Sequence, residues 1–128
     1  MSKKVVRPAG GPPALAPYSP AIMSRGALYI SGMLPMDEQG RCVGEGDIAA
    51  QTRSVMDAIA ATVNAGGGTM DDLVYCMIFL KDLEDYAKMN AVYGSYFTGA
   101  PPARFCIRAD LVRPEFLIEI SAIAHVAD

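Results

Sequence analysis

Hydrophobic positions along this chain follow two periods. Between residues 47 and 65, Ile48, Val55, Met56, Ile59 and Val63 recur at the spacing of a helix packed along one face, with Thr52 filling the gap. Asp47 suits the N-cap, and Gly66-Gly67-Gly68 predicts the stop, because glycine takes the left-handed conformation at a helix C-terminus at little steric cost. A glycine run that cradles phosphate opens a helix, whereas this one closes it. Asp82 and Asp85 form a capping-box-like start to a second helix. Tyr86, Met89, Asn90, Tyr93 and Phe97 follow at helical spacing, and Gly99-Ala100-Pro101-Pro102 breaks it.

The other period is that of strands. Residues 27–31 have strand-like composition, and Gly32 after Ser31 marks a bulge or a close backbone approach. Residues 72–80 are almost wholly apolar, which predicts a central strand covered on both faces. Two more strands are predicted at 103–108 and 117–125, with Pro114 preventing continuation between them. Residues 8–20 carry five prolines and two glycines and read as a loop holding Tyr18. The order β, β, α, β, α, β, β predicts an α+β sheet whose helices cover one face. The other face then needs a cover, which further copies of the chain would supply.

Composition narrows the function classes. The 128 residues predict a single domain, residues 1–128. With a net charge of −3 and no concentration of Lys or Arg beyond Lys3-Lys4, nucleic acid is not an expected partner. No apolar run has signal-peptide or membrane-spanning length, so a cytoplasmic protein without a membrane partner is expected. Cys42, Cys76 and Cys106 make no C-x-x-C pair, and with His125 as the one histidine neither a disulfide framework nor a metal site is expected.

Candidate chemistry lies in the last two strands. Alternation puts Ala103, Phe105 and Ile107 on one face, read as core, and Arg104, Cys106 and Arg108 on the other. In the last strand Ile118, Ile120 and Ala122 share a face, leaving Glu119 opposite them amid apolar neighbours. An antiparallel hairpin in one register would set Arg104 directly across from Glu119, and a one-residue slip would part them. A guanidinium can bind a carboxylate through two parallel N–H···O bonds, and a carboxyl in an apolar setting can exchange protons near neutrality. The same spacing suits a plain ion pair. Cys106 lacks a visible activating base, since His125 stands at the chain end without an acid partner.

Taken in order, Ala16-Pro17-Tyr18-Ser19-Pro20, Tyr29-Ile30-Ser31-Gly32, Ala50-Gln51-Thr52-Arg53, Pro102-Ala103-Arg104 and Ile118-Glu119-Ile120 resemble the Rid/YjgF proteins over nearly the whole chain. Ala103-Arg104-Phe105-Cys106-Ile107, Gly67-Gly68-Thr69-Met70 and the ending Ile123-Ala124-His125-Val126-Ala127 are most similar to the aminoacrylate deaminases of that family. The resemblance implies a chorismate-mutase-like α+β fold and a homotrimer with ligand sites in the clefts between subunits. It also implies hydrolysis of 3-aminoacrylate to malonic semialdehyde and ammonia in pyrimidine catabolism, without cofactor or metal. The alternatives are a broader deaminase of 2-aminoacrylate or other 2-imino acids, and a non-catalytic binder of small carboxylates.

By position, the resemblance makes Arg104 the carboxylate clamp and Glu119 the group that orients a water and moves protons. Cys106 lines the pocket through its side chain or backbone amide, and Tyr18, Ser31 and Gly32 line the same cleft. Ser121 departs from the pattern, since many members carry a second acid there. A ribonuclease activity is also associated with the family, and the acidic net charge argues against it here.

Overall fold

The strands are β1 (Lys4–Val6), β2 (Ala21–Ser24), β3 (Ala27–Met33), β4 (Leu73–Leu80), β5 (Ala103–Arg108) and β6 (Ile118–His125), and the helices are α1 (Ile48–Ala65) and α2 (Tyr86–Gly94). This computed structural model describes residues 3–126; Met1, Ser2, Asp128 and the Ala127 that closes the terminal run lie outside them. The six strands form one mixed sheet in the order β1-β2-β3-β6-β4-β5. Only β4 and β5 run parallel.

Local chemistry accounts for α1. Asp47 has an extended backbone, and its carboxylate accepts a hydrogen bond from the Ala50 amide at 3.1 Å, satisfying one of the free N–H groups of the first turn. At the other end Gly67, with φ of +91°, supplies the left-handed turn. The expected stripe is buried, and Val55, Met56, Ile59 and Val63 have no exposed surface. Gln51 is buried with them. Its amide nitrogen donates to the carbonyls of Glu115 at 3.0 Å and Gly44 at 3.2 Å, and its oxygen accepts from the Leu117 amide at 2.8 Å. A buried polar side chain is tolerable when so paired, and these bonds fix the chain just before β6 against α1.

The predicted order changes in three places. Three strands precede α1 rather than two, because β1 and β2, at 3 and 4 residues, are too short to show alternation. The second helix is shorter than residues 82–97. Asp82 accepts from the Glu84 amide at 2.9 Å and opens a 3-10 turn, Leu83–Asp85, and α2 spans only Tyr86–Gly94.

The third change concerns the site. β5 and β6 are not a hairpin, because β4 lies between them, parallel to β5 and antiparallel to β6. The α2 crossover returns the chain parallel to β4 and delivers β5 to the outer edge of the sheet. In register, Arg104 stands beside Cys76 and Glu119 beside Phe79. Cys76, Ile78 and Leu80 are buried in the core under the helices, so Arg104 and Cys106 face the helix side, while Phe79 and Glu119 face the uncovered side. The face of β5 read as core is therefore the open one, with Ile107 49% exposed. On that face Phe105 meets Phe79 and Tyr75 edge-on, with ring centroids 5.8 and 6.2 Å away.

Candidate active site

β3 and β6 fall out of step at one point. Ile30 pairs with Ala122 and Met33 with Ile120, so Ser31 and Gly32 together stand against Ser121. The expected bulge is there. Bulges re-aim side chains and backbone beside functional sites, and this one brings the Gly32 backbone against the Glu119 carboxylate. A Cβ built on Gly32 would overlap Glu119 Oε2 and lie 2.9 Å from its Cδ. Glu119 therefore sits where it does because residue 32 has no side chain. Its carboxyl is half-buried, and this burial pushes its pKa up from its ordinary value. No cation lies within ion-pair distance of it among the described residues.

Ser31 anchors the proline-rich loop. Its hydroxyl donates to the Ser19 carbonyl at 2.6 Å and its amide to the Pro20 carbonyl at 3.0 Å. Tyr18 is thereby held at the mouth of a cavity of about 620 Å³, lined also by Ser31, Gly32, Met33, Asp57 and Ala61. Tyr18, Ser31 and Gly32 thus line one cavity, and Glu119, which is not among its lining residues, meets this group at Gly32.

Arg104 and Cys106 form another. The Arg104 Nη2 donates to Asn90 Oδ1 at 2.7 Å and to the Tyr86 hydroxyl at 3.1 Å, both on α2. Its guanidinium carbon lies 4.9 Å from the Tyr93 ring centroid and 5.7 Å from that of Tyr86. No carboxylate pairs with it among the described residues, so an Arg104–Glu119 ion pair within the chain is ruled out. Burial raises the Cys106 thiol more than the Arg104 charge lowers it, which keeps sulfur protonated and poorly nucleophilic. The Ala109 amide bonds to the Leu80 carbonyl at 3.0 Å. Counting back in alternation, the amides of Arg104 and Cys106 point to the free edge of β5, open to a ligand.

The family model described as endoribonuclease L-PSP matches residues 9–126. The chain is 45% identical over 126 residues to the 3-aminoacrylate deaminase RutC of Acinetobacter baylyi, covering 98% of this chain and all of that protein. The chain belongs to the Rid/YjgF family. Its fold matches the crystal structure of the Rid-family protein YyfA of Yersinia pestis, of unknown function, with a TM-score of 0.91 at 35% identity, over 98% of this chain and all of that one. It also matches the YjgF gene product of E. coli, with a TM-score of 0.87 at 32% identity, over 95% and 98% of the two chains.

In this Rid/YjgF chain Arg104 and Cys106 thus lie on the opposite face of the sheet from Glu119. Tyr86, Asn90 and Tyr93, which surround Arg104, were legible only as one face of a helix.

Gly32→Ala tests the link between the bulge and the acid. The new methyl collides with the mobile end of the Glu119 side chain and not with backbone, so the fold is expected to persist with a stability loss of about 1–3 kcal/mol at most. Turnover is expected to fall much further, as Glu119 is displaced. Comparing the thermal midpoint with kcat checks this, and unchanged kcat would separate Gly32 from the acid.

Proposed function

We propose that the chain is an enamine deaminase that hydrolyses 3-aminoacrylate to malonic semialdehyde and ammonia, in a cleft completed by a second copy. The observation that carries this reading is a pair of unneutralised opposite charges. Among the described residues Arg104 has only neutral partners, and Glu119, its pKa raised by burial, has no cation. Lying on opposite faces, they meet around one small substrate only if one copy presents Arg104 and a neighbour presents Glu119. The apolar open face bearing Phe79 and Phe105 supports such an assembly, and a closed homotrimer supplies each cleft with one half-site from each of two subunits. The 45% identity to a protein named as a 3-aminoacrylate deaminase supports the substrate.

In the reaction, Arg104 and the free edge amide of Cys106 bind the substrate carboxylate. Carbon 2 of the enamine takes a proton delivered from Glu119 through water, leaving an iminium at carbon 3. The Glu119 carboxylate then takes a proton from the water that attacks carbon 3. Return of that proton to nitrogen makes ammonia the leaving group, and as the C–N bond breaks the hydroxyl on carbon 3 gives its proton to Glu119, leaving the aldehyde. One water is consumed, and Glu119 ends as it began. Such general acid-base work contributes typically ~10²–10⁴-fold, and the side chains at hand suffice for each step.

The proposed setting is the cytoplasm and pyrimidine breakdown. A net charge of −3 supports a small anionic substrate held locally by one arginine over a polyanion. Freshly generated 3-aminoacrylate and 2-aminoacrylate, supplied separately at equal concentration, test the proposal. Faster release of ammonia from the 3-isomer, with malonic semialdehyde as product, is expected. A clear preference for the 2-isomer overturns the assignment in favour of a 2-imino acid deaminase.

A further inference from the structure

One face of α2 is given over to a single side chain of another element. Tyr86, Asn90 and Tyr93 stand at positions i, i+4 and i+7, and all three converge on the Arg104 guanidinium. Asparagine is a poor residue for a helix interior, because its side chain competes for backbone hydrogen bonds. Asn90 instead turns its oxygen to Arg104 Nη2 at 2.7 Å. Tyr86 takes a second bond from the same nitrogen at 3.1 Å. Both hydrogens of Nη2 are then engaged, and Nη1 and Nε keep three N–H groups without a hydrogen-bond acceptor among the described residues. The acceptors are an amide and a phenol, neither charged.

We infer that Asn90 is a positioning residue for the carboxylate clamp: it fixes the guanidinium with a neutral acceptor, so that Arg104 is oriented yet keeps its full charge for the substrate. Tyr93 supports the same task from one side, its ring close to the cation and its buried hydroxyl pushed up by that burial. An aspartate in place of Asn90 would hold the arginine equally well and neutralise it. That isosteric change separates fixing the side chain from preserving its charge. The inference rests on the reading of Arg104 as a carboxylate clamp.

The test uses the intact protein with propionate as a competitive inhibitor of 3-aminoacrylate hydrolysis, propionamide as the uncharged control, and thermal unfolding alongside. Asn90→Asp is expected to weaken propionate at least about tenfold, with propionamide and the thermal midpoint unchanged or the midpoint raised. Asn90→Ala, which improves helix propensity and therefore folds, is expected to weaken propionate less, because orientation is lost and charge is kept. Arg104→Ala calibrates the assay. If it weakens propionate while Asn90→Asp leaves it unchanged, or affects it no more than Asn90→Ala does, the inference is overturned and the clamp stands. If Arg104→Ala leaves propionate binding intact, the clamp reading falls and the inference falls with it.

Discussion

Arg104→Ala is expected to reduce kcat/KM for 3-aminoacrylate by a hundredfold or more, with the fold intact. Hydrogen bonds to charged groups are worth about 1.5–3 kcal/mol each, and losing two of them at the carboxylate corresponds to roughly 10²–10⁴ in kcat/KM. The fold has little at stake. Arg104 lies on the edge strand of the sheet, has no ion-pair partner among the described residues, and packs only on one face of α2. A steady-state assay with circular dichroism of the same sample separates the two effects. Near-normal kcat/KM would remove Arg104 from substrate binding.

The second large effect is expected of Glu119→Gln, which should leave propionate binding in place and lower kcat by about 10²–10⁴-fold. This outcome distinguishes an enzyme from a protein that merely binds small carboxylates, since a binder gives Glu119 no proton to move. The same variant has a stability signature of opposite sign. Burial raises the folded-state pKa of Glu119 above the ordinary value of 4.5, so folding favours the protonated form. The favourable contribution is complete below that ordinary value and disappears as pH rises through the folded-state pKa. At neutral pH the buried carboxylate is therefore a liability, and glutamine is expected to raise the thermal midpoint. The gain should shrink as the medium is acidified past the carboxylate range. Denaturation curves of both proteins across pH check this. Because the two charges are assigned to different copies, mixed oligomers of Arg104→Ala and Glu119→Gln chains are expected to recover part of the activity that neither variant has alone.

Much of the fold is legible in the chain, and the reasons are local. α1 can be read from Asp47 to the glycine run because its cap, apolar stripe and stop agree. β4 can be read as interior because it is apolar on both faces, and it does pair along both edges. The bulge at Ser31-Gly32 is marked by a glycine inside a strand pattern. Strand adjacency is not local, and there the pattern falls short. Alternation in β5 divides Arg104 from Phe105 but does not say which side turns inward. Phe105 and Ile107 suggest the core, yet they face outward, because the uncovered side of this sheet is itself apolar. The Arg104–Glu119 hairpin was a reasonable expectation for consecutive strands, and the intervening β4 removes it. Asn90 is legible only as part of a helix face, because helical spacing alone cannot tell a face that packs on the core from one that grips a cation.

The placement of β5 at the rim also grades the site in resistance to local opening. Glu119 lies on β6 beside Phe79 of β4, next to the residues of β6 that pair with both β3 and β4, and is flanked by buried Ile118, Ile120 and Ala122. The doubly paired amides of β6 should exchange with solvent deuterium only when the whole domain unfolds. Arg104 lies on a strand bonded along one side only, whose outward amides are unprotected and whose fraying needs no disruption of the core. The proton-handling half of the site is thus rigid, and the half that grasps the substrate is soft. Bound carboxylate, by occupying those outward amides, would stiffen the rim it binds to.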